Sequence, residues 1–300
     1  MSISRTIISR EEKIFNIVNI LIMLLILTLT IYPFLNVLAI SFNESSDTVK
    51  GGITIFPRKF TIENYKVIFT YNNLVSGFIN SVLRTIVGTL TSLIACSMVA
   101  YTLGRKHYIF RKQVSLFLVI TMYVSGGLIP FFLLVRDLHL MNSFLVYILP
   151  GMVGAFNIII IRSFMENLPE ELYESAYIDG ANEFTVFLKI IIPLSTPVLA
   201  TIALFVAVGQ WNNWFDTYLF NGSDPSLTTL MFELMKVLQS TQRAGADAVR
   251  TASQQLKVSQ VSPESVKMAI TIVTIVPILL VYPFLQKYFV SGMTIGAVKG

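Results

Sequence analysis

Two groups of polar side chains in an otherwise apolar chain have residue types suited to recognition chemistry. The first lies in the segment 167–197, where Glu170, Glu171, Glu174 and Asp179 give an acidic surface. The second group comprises Gln210, Trp211, Asn212, Asn213, Trp214 and Asp216. Amide and carboxylate groups beside aromatic rings are typical of pockets that bind hydroxyl-rich ligands such as sugars. A belt of aromatic residues at a membrane surface is the alternative interpretation of the second group.

The sequence contains no recognisable motif for catalysis or for nucleotide binding. There is no Gly-x-x-x-x-Gly-Lys-Ser/Thr stretch to hold nucleotide phosphates, so ATP would have to be bound by another subunit. The single cysteine, Cys96, lies in an apolar run, and His107 and His139 fall in different loops without metal-ligand spacing. We therefore expect no enzyme activity, no catalytic residue, no metal and no cofactor in this chain.

The composition predicts an all-α integral membrane protein. Hydrophobic residues make up 54% of the 300 residues and charged residues 13%, where soluble proteins have about 25%. The net charge of +5 comes from scattered basic residues, which argues against nucleic-acid binding. Six segments have about the 20 apolar residues that a spanning helix needs. They are 14–40, 77–103, 114–135, 144–161, 190–208 and 266–288.

The basic residues predict the orientation of these spans. The short segment 104–113 carries four Lys/Arg and the segment 136–143 carries one, which places the former in the cytoplasm. The amino terminus 1–13, the loop 162–197 and the tail 289–300 are then cytoplasmic. Segments 41–76 and 211–264 face outward, and 77–288 form the core transmembrane domain with five helices. The first span exceeds the ~7–15 apolar residues of a signal peptide, so we interpret it as a retained anchor.

Arg84 is the exceptional charge within a predicted span. It lies near the outer end of the second span, where it could either reach the membrane surface or line a watery pathway. The spans contain no series of buried acidic or histidine residues of the kind that proton- or sodium-coupled carriers use. An ion-coupled carrier or a channel is the alternative function that these observations disfavour.

Local signals predict two short helices in the segment 167–197. Asn167 is a candidate N-cap that forms a capping box with Glu170, and Gly180 is a candidate left-handed stop. A second helix over 183–192 is followed by Pro193 and Pro197, which separate it from the fifth span. An amphipathic helix lying on lipid is the alternative, but such helices usually carry Lys/Arg on their polar face. The acidic face here favours a basic protein partner.

The segment 174–197 resembles the EAA loop of ABC importer permeases. It has Glu174, Ala176, Gly180 and the later Ile-Pro of that pattern, with Ser175 where the family has alanine. The resemblance implies a coupling helix that docks into a cleft of an ATP-hydrolysing subunit. The docking residues implied by position are Glu171, Glu174, Ser175, Ala176, Asp179, Gly180 and Ala181.

The resemblance covers nearly the whole chain. Segments 52–65 and 80–81 are similar to the carbohydrate-uptake branch, of the maltose second-permease type. Segments 211–216 and 289–300 are similar to the YtcP/LplC group. This implies a type I importer permease with six transmembrane helices in a bacterial cell membrane. The implied substrates are oligosaccharides, including pectin or rhamnogalacturonan fragments. The implied partners are a second permease in a heterodimer, two cytoplasmic ATPases that bind ATP and Mg²⁺, an extracellular solute-binding protein and membrane lipid.

Overall fold

The computed structural model describes residues 10–70, 72–247 and 262–297, and helices dominate this part of the chain. The described residues contain a single isolated bridge, between Asn43 and Phe60, in place of a sheet. In chain order the helices are α1 (Arg10–Ser41), α2 (Ser45–Thr48), α3 (Glu63–Thr70), α4 (Asn72–Gly104), α5 (Arg111–Tyr123), α6 (Leu128–Asp137), α7 (Ala155–Met165), α8 (Glu171–Ile178), α9 (Glu183–Val186), α10 (Ile192–Leu194), α11 (Thr196–Asn212), α12 (Phe215–Phe220), α13 (Leu230–Asp247) and α14 (Pro263–Ala297). The all-α prediction is confirmed.

Within the described residues, three helices are long and apolar enough to cross a membrane. They are α1, α4 and the part of α14 over Glu264–Val281, and they correspond to the predicted spans 14–40, 77–103 and 266–288. The last helix continues to Ala297, so most of the predicted separate tail 289–300 extends α14. Residues 298–300 of that tail lie outside the described residues.

The prediction of one continuous span over 114–135 is wrong. Helix α5 ends at Tyr123 and α6 begins at Leu128, with a bend of 117° between them. The intervening Ser125-Gly126-Gly127 explains the break, because Gly127 adopts a φ of 85°, which a continuing helix cannot contain. Apolar composition alone did not reveal this change of direction.

The predicted span 144–161 is also not one helix. The structure has a 3₁₀ turn at Phe144–Tyr147 and then α7, which has 11 residues. Pro150, Gly151 and Gly154 lie between them, and residues of these types interrupt helices. The described residues therefore provide three unbroken spans, or up to five if each bent helix pair counts as one.

The predicted break before the fifth span is confirmed. A π-helical turn, Phe187–Ile191, connects α9 to α10, and the chain bends by 79° between Glu183–Leu194 and α11. Pro193 and Pro197 each occupy a first-turn position of the helix that follows, where the missing N–H has no partner to lose. The apolar helix runs over Thr196–Asn212, so the predicted limits 190–208 are shifted toward the carboxyl end.

The chain divides into two compact units. One comprises 1–70 and 237–273, and in it the segment after α1 is held by buried polar contacts. The Asn64 amide donates to the backbone oxygens of Ser41 and Asn43 at 2.8 and 2.9 Å. Arg58 donates to Asp47 at 2.8 Å. These bonds fix the irregular segment between α1 and α3.

The second unit comprises 71–236 and 274–300, and α4 lies at its centre, packed against α7 and α11. Its core is closed by fully buried small and branched side chains, namely Cys96, Ala100, Ile158, Ile161, Val186, Ile191 and Ile202. Cys96 is thus a buried packing residue, as its apolar surroundings in the sequence predicted. The two groups of candidate functional residues both lie in this unit.

Candidate solute cavity and coupling loop

Arg84 on α4 is the centre of a buried polar network. Its side chain is 2% exposed, and Nε donates to Oε1 of Gln210 at 2.7 Å. Nη1 donates to the backbone oxygen of Asn213 at 2.9 Å, and Nη2 forms an ion pair with the Asp216 carboxylate. The sequence-based alternative in which Arg84 reaches the membrane surface is therefore wrong, because the guanidinium is enclosed by protein.

The corner between α11 and α12 presents these partners to Arg84. The Asn213 side chain closes the corner by accepting from the backbone N–H of Asp216 at 3.2 Å and donating to its carboxylate at 2.8 Å. The Tyr147 ring lies 4.6 Å from the guanidinium carbon, at a distance suited to a cation–π contact. The buried positive charge is thus balanced by one carboxylate and one aromatic face.

This network forms one wall of a cavity of about 290 Å³. The cavity is lined by Arg84, Phe131, Val146, Tyr147, Pro150, Gly151, Val206, Gly209, Gln210, Asn213, Asp216 and Phe220. Its charged groups are one arginine and one aspartate in contact, so the wall has no net charge. Polar hydrogen-bonding groups beside aromatic rings make the cavity suited to a hydroxyl-rich solute.

Three of the six predicted pathway residues lie at this cavity and three do not. Gln210, Asn213 and Asp216 all converge on Arg84. Trp211 is 7% exposed and donates from Nε1 to the backbone oxygen of Thr274 at 3.0 Å. It lines a different, apolar pocket of about 230 Å³. Since Trp211 is buried, the aromatic-belt interpretation does not hold for it.

The other two predicted pathway residues point elsewhere. Trp214 is half-buried and packs against Phe215 and Tyr218, with ring centroids 5.7 and 6.0 Å away. Asn212 is exposed at the end of α11. The two tryptophans therefore pack in different places, and neither lines the Arg84 cavity.

We call the cytoplasmic loop predicted over 162–197 the coupling loop. The amino-terminal cap predicted for its first helix is wrong. The Asn167 amide donates to the backbone oxygen of Ser163 at 2.7 Å, which closes the end of α7, and α8 begins only at Glu171. Glu170 instead pairs with Lys106, whose ammonium lowers the pKa of the Glu170 carboxyl. A charge partner in another loop thus replaced the local capping box.

The predicted stop at Gly180 is confirmed. Gly180 has a φ of 78°, and the backbone N–H of Ala181 donates to the oxygen of Ala176 at 2.9 Å across the turn. The next helix has a cap that the sequence interpretation missed, because the Asn182 side chain accepts from the backbone N–H of Thr185 at 2.8 Å. Asparagine directly before Glu183 was the available signal.

Helix α8 has a buried face and an exposed face. Tyr173 and Ala176 are 8% and 6% exposed and pack into the core of the unit, and half-buried Ala181 packs beside them. The remaining predicted docking residues are exposed, namely Glu171, Glu174, Ser175, Asp179 and Gly180. Ile178, which the sequence interpretation missed, is 85% exposed between them. Ile178 lies two positions after Ala176 and five after Tyr173, so it does not share their face of the helix, and this spacing could be seen in the sequence.

Arg105 lies in a cage of three tyrosines at the end of α4. Its guanidinium carbon is 4.3, 5.7 and 6.0 Å from the ring centroids of Tyr173, Tyr177 and Tyr101. Nη2 donates to the Tyr177 hydroxyl at 2.8 Å, and the Glu183 carboxylate is 3.7 Å away. The sequence interpretation used Arg105 only to orient the spans. We call this group the Arg105 cage.

Within the described residues, no three His, Cys, Asp or Glu side chains are arranged to hold a metal ion. Cys96 is fully buried, and its sulfur lies among the backbone oxygens of Met152 and Gly154 at 3.7 and 3.9 Å.

Comparison with known sequences identifies the family. The profile of the family described as "Binding-protein-dependent transport system inner membrane component" matches residues 92–295. The protein LplC of Bacillus subtilis (strain 168) is 38% identical, with 97% of each chain covered. The polygalacturonan/rhamnogalacturonan transport system permease protein YtcP of the same strain is 35% identical over 97% of this chain and all of YtcP. The match exceeds half of the chain in every case.

A solved structure has the same fold. It is a chain of a bacterial ABC transporter involved in the import of the acidic polysaccharide alginate, with a TM-score of 0.82 and 30% identity. The alignment covers 94% of this chain and 98% of that chain. YtcP is named as a transport system permease and the solved structure as part of an ABC transporter, and the family match sets aside the ion-coupled carrier and the channel. The chain therefore belongs to the binding-protein-dependent inner membrane components, the permease subunits of ABC importers.

Proposed function

We propose that this chain is one half of the membrane pathway of an ATP-driven oligosaccharide importer, with α8 as the helix that an ATPase grips. The observation that carries this proposal is the exposed face of α8, where Glu171, Glu174 and Asp179 surround the protruding Ile178. An apolar tip ringed by acidic groups suits a basic-rimmed apolar cleft. Two such ATPases, a second permease and an extracellular solute-binding protein complete the proposed assembly.

The buried face of α8 assigns different roles to the proposed docking residues. Ala176 packs inside this chain, so in the proposal it allows α8 to lie close to the core and makes no contact with the ATPase. Gly180 is surrounded by open space, and a Cβ added there would meet no atom within 4 Å, but its φ of 78° disfavours any other residue. It serves to turn the chain sharply beneath the docking face.

The proposed orientation has both ends of the chain and α8 in the cytoplasm of a bacterial cell. It is supported by the basic residues beside α8, since Arg105, Lys106 and Arg111 all pair with acidic groups of the loop region. Short loops rich in Lys and Arg are typical of the cytoplasmic side. The Arg84 cavity, near the other end of α4, would then open toward the outside during transport.

The proposed substrates are oligosaccharides, including fragments of pectin such as polygalacturonan or rhamnogalacturonan. Relatives named for arabinooligosaccharides, at 31% identity, and for polygalacturonan support this class. The Arg84 cavity supports it independently, because its amides, carboxylate and aromatic rings can bind hydroxyl edges and C–H faces. We propose that Arg84, Gln210, Asn213 and Asp216 line the solute pathway.

Copurification tests the docking proposal. The chain is tagged in its native host, extracted in mild detergent, and the ATP-hydrolysing subunit that accompanies it is quantified. Glu174→Lys reverses a charge on the proposed docking face, and we expect it to remove most of the ATPase. Glu63→Lys makes the same change at another exposed helix start and is the matched control. Full recovery of the ATPase with Glu174→Lys would overturn the proposal.

Uptake into vesicles tests the substrate proposal. Vesicles containing the purified complex, its solute-binding protein and internal ATP are offered labelled galacturonan and arabinan oligosaccharides. We expect ATP-dependent accumulation of at least one of them, and none in the Glu174→Lys complex. Accumulation driven by a sodium or proton gradient without ATP would contradict the proposed mechanism.

A further inference from the structure

Helix α4 connects the two sites without a break. It runs over 33 residues, with Arg84 in its first half and Arg105 immediately after its last residue. The 21 positions between these arginines correspond to about 30 Å along a helix. Each arginine holds elements from elsewhere in the unit, so α4 is attached to the coupling loop at its carboxyl end and to the cavity wall within its first half.

The alternative connection, from the coupling loop through α11, is interrupted. The chain passes through a π-helical turn and then bends by 79° before α11 begins at Thr196. Irregular turns of this kind are common at hinges, which absorb movement instead of transmitting it. The bend therefore assigns the rigid role to α4.

The end of α4 holds both helices of the coupling loop. Arg105 contacts Tyr173 and Tyr177 of α8 and lies 3.7 Å from Glu183 of α9. Tyr101, one turn earlier on α4, donates its hydroxyl to the same Glu183 carboxylate. A movement imposed on either loop helix therefore pulls on the last turn of α4.

We infer that Arg105 is a positioning residue that couples α8 to α4, and that α4 carries the movement of the docked loop to the Arg84–Asp216 cavity. The inference rests on the proposed docking of α8 to an ATPase. A guanidinium is required because its planar face stacks on the tyrosines while its edge donates hydrogen bonds. A lysine ammonium at this position would retain the charge and lose the stacked contact.

A thiol placed in the cavity gives a readout that needs no known substrate. Cys96 is the single cysteine, so Cys96→Ala provides a cysteine-free background. Gly209→Cys then adds a thiol at a cavity-lining position where a Cβ meets no atom within 4 Å. The rate of its reaction with a membrane-impermeant maleimide is measured in the purified complex, with and without ATP and vanadate. We expect nucleotide to change this rate when Arg105 is intact.

Variants of the Arg105 cage are then compared on this background. Arg105→Gln and Arg105→Lys are both expected to lose the nucleotide-dependent change while still copurifying with the ATPase. Tyr177→Phe, which removes one acceptor from an exposed tyrosine, is the milder variant and is expected to reduce the change partly. Lys106→Gln removes the adjacent cation, whose ion pair is exposed, and should leave the change intact.

Two results would overturn the inference. One is an unaltered nucleotide-dependent change in Arg105→Gln, which would mean that movement reaches the cavity by another route, such as α11. The other is loss of the ATPase from Arg105→Gln, which would make Arg105 a docking residue. Failure of the proposed function gives a different result from failure of the Arg105 inference. In that case the Glu174→Lys complex keeps its ATPase, or the unmodified chain copurifies with none.

Discussion

The two arginines at α4 differ in burial and in the kind of partner they have. Arg84 is 2% exposed and is bound by a carboxylate, an amide oxygen and a backbone oxygen. Arg105 is 21% exposed, and its main partners are the faces of three tyrosines, with a carboxylate only at 3.7 Å. Arg84 is therefore held by directional bonds in a buried site, whereas Arg105 combines ring contacts with one hydrogen bond, at 2.8 Å, to the Tyr177 hydroxyl.

We therefore assign the contacts of Arg84 to stabilising the fold and the contacts of Arg105 to transmitting movement along α4. Removing one partner of a buried ion pair leaves an uncompensated charge and costs about 3–5 kcal/mol. A partly exposed cation–π contact such as that of Arg105 contributes about 0.5–2 kcal/mol. Changes at Arg84 should therefore affect folding stability first, and changes at Arg105 should affect coupling with little effect on stability.

Asp216→Ala should have the largest effect on stability. It leaves the Arg84 guanidinium buried without its carboxylate, and we expect a loss near the lower end of about 3–5 kcal/mol, because Asp216 itself is 25% exposed. Temperature-ramped unfolding of the detergent-solubilised complex measures the change. The double variant Arg84→Met/Asp216→Leu should recover much of the loss. Equal stability of Asp216→Ala and the unmodified chain would show that the buried network is not stabilising.

Gly88→Ala should have an intermediate effect. A Cβ at Gly88 would lie 2.7 Å from Nε2 of Gln210, so the Gln210 side chain must move and its bond to Arg84 is strained or lost. We expect a loss of about 1–3 kcal/mol from this polar contact. Gly209→Ala is the matched control, since it also lies in a helix but its Cβ meets open space. The control should be neutral or slightly stabilising, and an equal loss in both variants would contradict the prediction.

Local signals in the sequence predicted more of the coupling loop than of the cavity. The stop at Gly180 and the breaks at Pro193 and Pro197 follow from the backbone preferences of single residues, so no knowledge of tertiary contacts was needed. The pairing of Arg84 with Asp216 joins residues 132 positions apart, and no local pattern encodes it. An arginine in an apolar span usually pairs with an acidic residue, however, and Asp216, just after the fifth span, was the available signal.

The misassigned spans have a different cause. Hydropathy averages over a window, and the windows 114–135 and 144–161 remain apolar although they contain Gly127 and Pro150. A glycine at positive φ or a proline changes the direction of the chain without changing its polarity. Weighting these residues as breaks would have predicted two interrupted segments here, but it would also have wrongly interrupted α14, which contains Pro277 and Pro283 within one helix.

Glu183→Gln should have a small and pH-dependent effect at the Arg105 cage. Burial raises the pKa of this carboxyl, but hydrogen bonds from Tyr101 and Tyr177 and the charge of Arg105 outweigh burial and lower it. The carboxylate therefore contributes stability above the usual glutamate pKa of 4.5, and this contribution is lost as the pH falls through the lower folded-state value. Unfolding measured from pH 7 down to about pH 3 should lose more stability in the unmodified chain than in Glu183→Gln, with the difference appearing below pH 4.5. Parallel pH profiles would contradict this assignment.

Lys106→Gln should have the smallest effect, although Lys106 is adjacent to Arg105 and also pairs with the loop. Its side chain and that of Glu170 are 69% and 52% exposed, so water screens their attraction. We expect unchanged unfolding and a normal nucleotide-dependent change in the labelling rate of the Gly209→Cys thiol. Added salt should likewise leave the difference between Lys106→Gln and the unmodified chain near zero, because the screened pair contributes little that salt could remove. If Lys106→Gln instead matched Arg105→Gln, the positive charge at the end of α4 would be the coupling feature, and the stacked geometry of the Arg105 cage would not.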